Sequence, residues 1–175
     1  MKRTSPSVSR GFTLVEMLAV ITIIVLLAAM VLGSLAFVKD KQAREKCKIQ
    51  IQLLCKSIED YKLDNGSYPV ANNSNALYKA LYWDSNNDGK GPDQDKLQKI
   101  YCAELDPNRN LQKWIQGTGA SATIIDPWFN EFIYRRGDDT NAWNPDFDLW
   151  SKGKDGKTST SNRKAPENKD DIGNF

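Results

Sequence analysis

The sequence has no histidine. An imidazole-based zinc centre and a Ser-His-Asp triad are both excluded, and many hydrolase classes go with them. Cysteine is scarce too: Cys47, Cys55 and Cys102 are an odd set that cannot build a complete disulfide framework. They leave two alternatives, one bridge such as Cys55 with Cys102, or buried free thiols. Nor is there an excess of one charge, since 24 basic and 22 acidic side chains give a net +2. Setting aside Lys2, Arg3, Arg10 and Glu16 leaves the remainder formally neutral. Phosphate neutralisation needs clustered Lys and Arg, so no nucleic-acid partner is expected. A phosphate-binding loop is absent as well.

Charge disappears altogether from Met17 to Val38, a run of 22 positions. About 20 apolar residues cross a bilayer as a helix, so residues 12–38 are expected to form a transmembrane helix. The basic stretch ahead of it, with no acid, predicts a cytoplasmic N-terminus and an external remainder. A chain of 175 residues then has room for one head, here 39–175. Polar residues enter after Val38 without Pro or Gly, and Cys47, Ile51, Leu54, Ile58 and Tyr61 recur at spacings of four, three, four and three. That pattern predicts the same helix continuing in water with one buried face, to about residue 64. Asn65-Gly66 followed by Pro69 supplies the stop.

Beyond the stop, short helices are expected over 76–83, 96–104 and 110–115. "EFIYRRG" and "FDLWSKG" carry the aromatic and β-branched residues of short antiparallel strands. The fold class is therefore α+β, a long N-terminal helix on a small antiparallel sheet. From Gly153 onward only Ala165, Ile172 and Phe175 are aliphatic or aromatic, too few to offset chain ordering. That tail is either disordered or fixed by something other than a core.

The N-terminal stretch "RGFTLVEMLAV" resembles the processing signal of type IV pilins and pseudopilins: a short basic leader, Gly11, Phe12, Glu16 and an apolar helix. The resemblance implies that 1–11 is a leader removed after Gly11 by prepilin peptidase, that Phe12 becomes a methylated N-terminus, and that Glu16 guides assembly. The physical chemistry agrees. A carboxylate in hydrocarbon is costly unless paired, and the new ammonium on Phe12 lies one helical turn away, on the same chain or a neighbour. Glu16 then sets axial register while apolar faces supply contact area. Where Gly33 stands the family often has proline, so the weak helix former there departs from the pattern.

The rest narrows the resemblance. "DNGSYP" (64–69), "DPWFNEFIY" (126–134), "FDLWSKGKDG" (147–156) and "DDIGNF" (170–175) are similar, in that order, to the major pseudopilin of type II secretion systems. Phe129 and Glu131 stand where that family commonly has Gly and Pro, and 155–171 is longer than usual. In the family calcium orders the C-terminal loop. Carried over, this implies Asp155, the Lys152 backbone carbonyl, and Glu167 or Asp170 as ligands, apt because calcium takes six to eight oxygens from flexible loops. Bound metal would also order a tail that burial cannot.

A second loop, "DSNNDGKGPDQD", places Asp84, Asn86, Asp88 and Gly89 in the D-x-[DN]-x-[DN]-G pattern with Asp95 at its twelfth position. The local likeness is to calcium loops of dockerin-type repeats; ordinary Asn-Asp-Gly turn chemistry is the alternative. Five tryptophans and acid pairs such as Asp146 with Asp148, or Asp138 with Asp139, read as core and turn residues rather than a sugar platform or glycosidase carboxylates.

The expectation is a non-enzymatic structural subunit of a bacterial inner-membrane secretion apparatus, single-pass with a periplasmic head. It self-associates into a pseudopilus that supports export across the outer membrane, with other pseudopilins and inner-membrane secretion components as partners. The alternatives are a type IV pilin or minor pseudopilin and, from another class, a membrane-anchored calcium-binding module or hydrolase.

Overall fold

The structure is a computed structural model describing residues 12–92, 94 and 97–175, with the side chains of 31–36 outside the description. Gly11 and Asp95 lie outside the described residues. The chain divides into two compact units, residues up to Lys41 and Gln42–Phe175. One helix, α1 (Leu14–Asn65), contributes to both.

In the first unit Leu14, Val15, Leu18, Ile21, Ile24 and Val25 are all exposed, Leu14 by 81%. Apolar residues on every side are the pattern of a helix meant for lipid or for other helices, not for one face of a core. Among the described residues no helix is long and apolar enough to cross a membrane.

In the second unit α1 turns amphipathic. Cys47, Ile51, Leu54 and Ile58 are buried on one face and Tyr61 is partly buried, as the spacing predicts. The helix ends where Gly66 adopts φ 73° and its N–H donates to the Lys62 carbonyl at 2.8 Å. Glycine enters that left-handed region without a Cβ clash.

Helix α2 (Ser74–Tyr78) is capped by Asn73, whose side chain accepts the Ala76 N–H, and it runs into a π-helical turn, Lys79–Trp83. The helices expected over 96–104 and 110–115 do not form among the described residues. Two 3-10 turns, Ala103–Leu105 and Pro107–Arg109, stand there instead, followed by β1 (Ile115–Gln116). The reasons are local. The N–H groups of Tyr101 and Cys102 both donate to Leu81 O, which pins the chain across the π turn. Asp106 caps Pro107–Arg109, and the Asn110 amide bonds Trp114 N–H and Ile115 C=O, so side chains take the backbone groups a helix would use.

Strand β1 pairs antiparallel with β2 (Thr123–Ile124). The second sheet has the order β3-β4-β5, from Ile133–Arg136, Phe147–Ser151 and Ile172–Gly173, all antiparallel. The first two are the strands expected from "EFIYRRG" and "FDLWSKG". Every residue of β4 is buried. Phe147 and Leu149 join the core against α1 and α2, while Trp150 is covered from the other side by the C-terminal tail.

The tail is fixed chiefly by polar contacts. Arg135 Nη1 donates to Thr160 O, Trp150 Nε1 to Thr158 Oγ1, and Asn168 bonds Ser159 through both N–H and C=O. Phe175 packs edge-on against Trp143, and the Arg163 guanidinium lies over the Phe175 ring at 4.5 Å from its centroid.

The acid pairs are absorbed by the scaffold. Asp148 is fully buried, paired with Arg135 at 2.9 Å and accepting the Trp143 and Asn144 N–H groups. Asp146 faces Lys62 and Asp138 pairs with Arg136. All three cysteines are free thiols, and burial pushes each up to about 12.

Candidate functional site

Two places carry the residues singled out from the sequence. At the start of α1, Thr13 and Glu16 form a capping box. The Glu16 carboxylate accepts the Thr13 N–H at 2.8 Å and its hydroxyl at 2.9 Å, while Thr13 Oγ1 accepts the Glu16 N–H at 3.2 Å. Such a pair satisfies donors that the first turn otherwise leaves open, and it places the acid at the positive end of the helix. Phe12 beside it is exposed. The T-x-x-E spacing at 13–16 is the sequence signature of this capping box.

The second place is the end of the tail, where β5 returns beside β4. Gly153 adopts φ 65°, and a Cβ there would meet the Asp170 carbonyl and carboxylate at 2.5 Å, so only glycine fits the approach. Asp170 Oδ2 accepts the N–H groups of Lys154 at 2.7 Å and Asp155 at 3.1 Å. Asp171 Oδ2 accepts the Thr158 hydroxyl at 2.6 Å, whereas Asp171 Oδ1 is buried with no hydrogen-bond partner. Burial pushes the Asp171 carboxyl up to about 6; Asp170 and Asp155 push in the same direction, and the Thr158 hydrogen bond and the Lys152 charge oppose them.

Asp155 and Asp170, both expected from the sequence, are thus brought together through the Asp155 backbone and the Asp170 carboxylate, with Lys152 just ahead of the turn. The Asp155 carboxylate itself accepts the Lys157 N–H at 2.8 Å. Asp171 was missed. The signal available for it was its position directly before the closing strand, which turns its carboxylate inward. Glu167 sits exposed on a 3-10 turn, Pro166–Asn168.

A hard cation fits this donor set. The acids offer oxygen only, their mutual repulsion calls for positive charge, and the orphaned Asp171 Oδ1 is a buried acceptor that lacks a partner. Among the described residues no three acidic or thiol side chains are gathered tightly enough to hold a metal by themselves. Asp155, Asp170 and Asp171 would hold calcium together with backbone carbonyls of the turn, Lys152's included. The bound ion would supply neutralising charge and a cross-link between the turn and β5.

The other loop behaves differently. Asp84 turns both oxygens onto its own loop, accepting Asp88 N–H at 2.8 Å and Gly89 N–H at 3.1 Å, and Asp88 pairs with Lys90 at 3.3 Å. These are Asx-turn bonds of ordinary loop chemistry, the alternative that the sequence pattern left open.

Comparison with known proteins follows the same two places. Residues 6–32 match the "Prokaryotic N-terminal methylation motif", and residues 75–174 match "Type II secretion system (T2SS), protein G". The chain belongs to the type II secretion system protein G family. It is a structural, pilin-like subunit of type II secretion with a methylation motif at its start.

Among relatives, type II secretion system core protein G of Escherichia coli K12 is 30% identical over 95% of this chain and 90% of its own. The core protein G of Pseudomonas aeruginosa is 28% identical over 94% of each. The crystal structure of the major pseudopilin from the type 2 secretion system of enterohaemorrhagic Escherichia coli is 24% identical, covering 81% of this chain and 93% of that one with a TM-score of 0.46.

Proposed function

We propose that this protein G family member is made as an inner-membrane precursor with a periplasmic head. Prepilin peptidase trims it after Gly11, and it polymerises through α1 with copies of itself and other pseudopilins into the filament that supports export. The observation that carries this reading is the first part of α1, a helix with apolar side chains exposed on every side that lies largely within the matched methylation motif. Only lipid or like helices cover such a surface, and a precursor that moves from one to the other uses both. In the precursor the Glu16 carboxylate is held by Thr13; once Phe12 carries a free ammonium, that charge competes for the same oxygens.

The test is the intact mass and N-terminal residue of the protein recovered from its native membrane, with and without a Gly11 substitution. The expected result is a chain starting at a methylated Phe12 that is lost in the substituted form. A chain that keeps residues 1–11 beside an active prepilin peptidase overturns the proposal.

Calcium is part of the same reading: one ion per chain, held by Asp155, Asp170, Asp171 and the turn carbonyls. What supports it is the orphaned Asp171 oxygen. Asp88→Ala leaves the calcium stoichiometry unchanged, because Asp84 turns onto the N–H groups of Asp88 and Gly89 and Asp88 pairs with Lys90; a variant that loses one bound ion per chain would place a site there.

A further inference from the structure

Gly153 is also held through both of its backbone polar groups. Its carbonyl accepts the Asn130 Nδ2 hydrogen at 2.8 Å, and its N–H donates to Ser151 Oγ at 3.0 Å. Ser151 Oγ in turn donates to Asp126 Oδ2 at 2.5 Å. Asp126 is buried, and its Oδ1 accepts the N–H groups of Trp128 and Asn130, which closes the "DPWFN" turn on itself. Asn130 also lies close beneath Gly156, where a Cβ would come within 2.9 Å of its Oδ1. One side chain therefore spans the two glycines that bracket Asp155.

We propose that Asn130, fixed by Asp126, is a positioning residue for the C-terminal cation site. The turn 153–156 presents Asp155, and its N–H groups orient Asp170 through the bonds from Lys154 and Asp155. With Gly153 held by both of its backbone polar groups, the turn keeps one spacing between Asp155 and the Asp170–Asp171 pair. Outer partners that orient ligands in this way strengthen metal binding by about 10- to 100-fold. The Asn130 amide bonds Asp126 and the Gly153 carbonyl, so it acts on the site through backbone. The inference rests on the calcium reading above.

The experiment is calcium titration by calorimetry into the chelator-treated full-length chain in detergent, run beside thermal unfolding of the metal-free protein. Asn130→Ala is compared with the parent and with Asp155→Ala. Ser151→Ala removes the acceptor of the Gly153 N–H, and carries the test by itself if Asn130→Ala fails to fold. Ser74→Ala is the control: its hydroxyl bonds Ile124 through both N–H and C=O, and it makes no contact with the tail.

The expected result is calcium affinity weaker by about 10- to 100-fold in Asn130→Ala and Ser151→Ala, and unchanged in Ser74→Ala although that variant unfolds at lower temperature. Unchanged affinity in Asn130→Ala, or an equal loss in Ser74→Ala, overturns the positioning role alone. A parent that binds no calcium, or Asp155→Ala binding as the parent does, overturns the calcium reading together with this inference.

Discussion

Asp171 keeps a proton that an exposed aspartate would have released, because its carboxyl is partly buried and faces Asp170 and Asp155. Between about pH 4 and pH 6 the metal-free folded chain thus binds more protons at this group than the unfolded chain does, and stability falls as pH rises through that window. In the proposed reading calcium would reverse the sense, since the ion would take the ionised carboxylate and its affinity would drop as pH falls through about 6. Thermal unfolding with chelator and with calcium across this range checks both slopes; a rise in metal-free stability over the same window would remove the inward-facing acid from the account. At this scale the sequence singles out Gly11, Phe12, Glu16, Asp155 and Asp170, because they sit in recognisable strings. It does not single out Asp171, Asp126 and Asn130, because what distinguishes them is burial and the direction of a hydrogen bond. Both arise only when β4 and β5 meet.

Among the elements, α1 was the most legible, since its buried face follows from spacing alone and its end from Asn65-Gly66. Leu54 is fully buried at the middle of that face. Leu54→Ala should cost about 2 to 5 kcal/mol, through lost burial and the cavity left behind, read as a drop in urea midpoint with an unchanged slope. A loss well below that range would mean that the head collapses around the gap. The strands β3 and β4 were legible for a similar reason: aromatic and β-branched residues suit a pleated surface wherever it is placed. The stretch 97–115 was misjudged because its backbone groups are claimed by distant or local partners, Leu81 from one side and Asn110 from within. Composition registers propensity and carries no record of such competition.

At the scale of the whole molecule, the head is held by two unlike means. Core burial secures α1, α2 and the sheets, while the tail from Gly153 relies on side-chain-to-backbone bonds and, in the proposed reading, a cation. Chelation should therefore raise amide hydrogen exchange across 153–171 and leave the Cys47–Ile58 stretch protected, measured by mass spectrometry of fragments. Uniform loss of protection would show that the tail and the core open as one unit. The sequence had posed this tail as a choice between disorder and an external tie, and the polar contacts of Thr158, Thr160 and Asn168 decide it.

Trp150 is joined to the acid cluster by two hydrogen bonds in series, from its indole N–H to Thr158 and from Thr158 to Asp171, and its ring lies 4.9 Å from that of Trp143. An ion settling on Asp171 alters the polarity felt by that indole. If the proposed ion binds, the protein carries its own fluorescent gauge: emission excited at tryptophan wavelengths should shift as calcium is added, and Thr158→Ala should blunt the shift, which would make ion occupancy measurable without any attached dye.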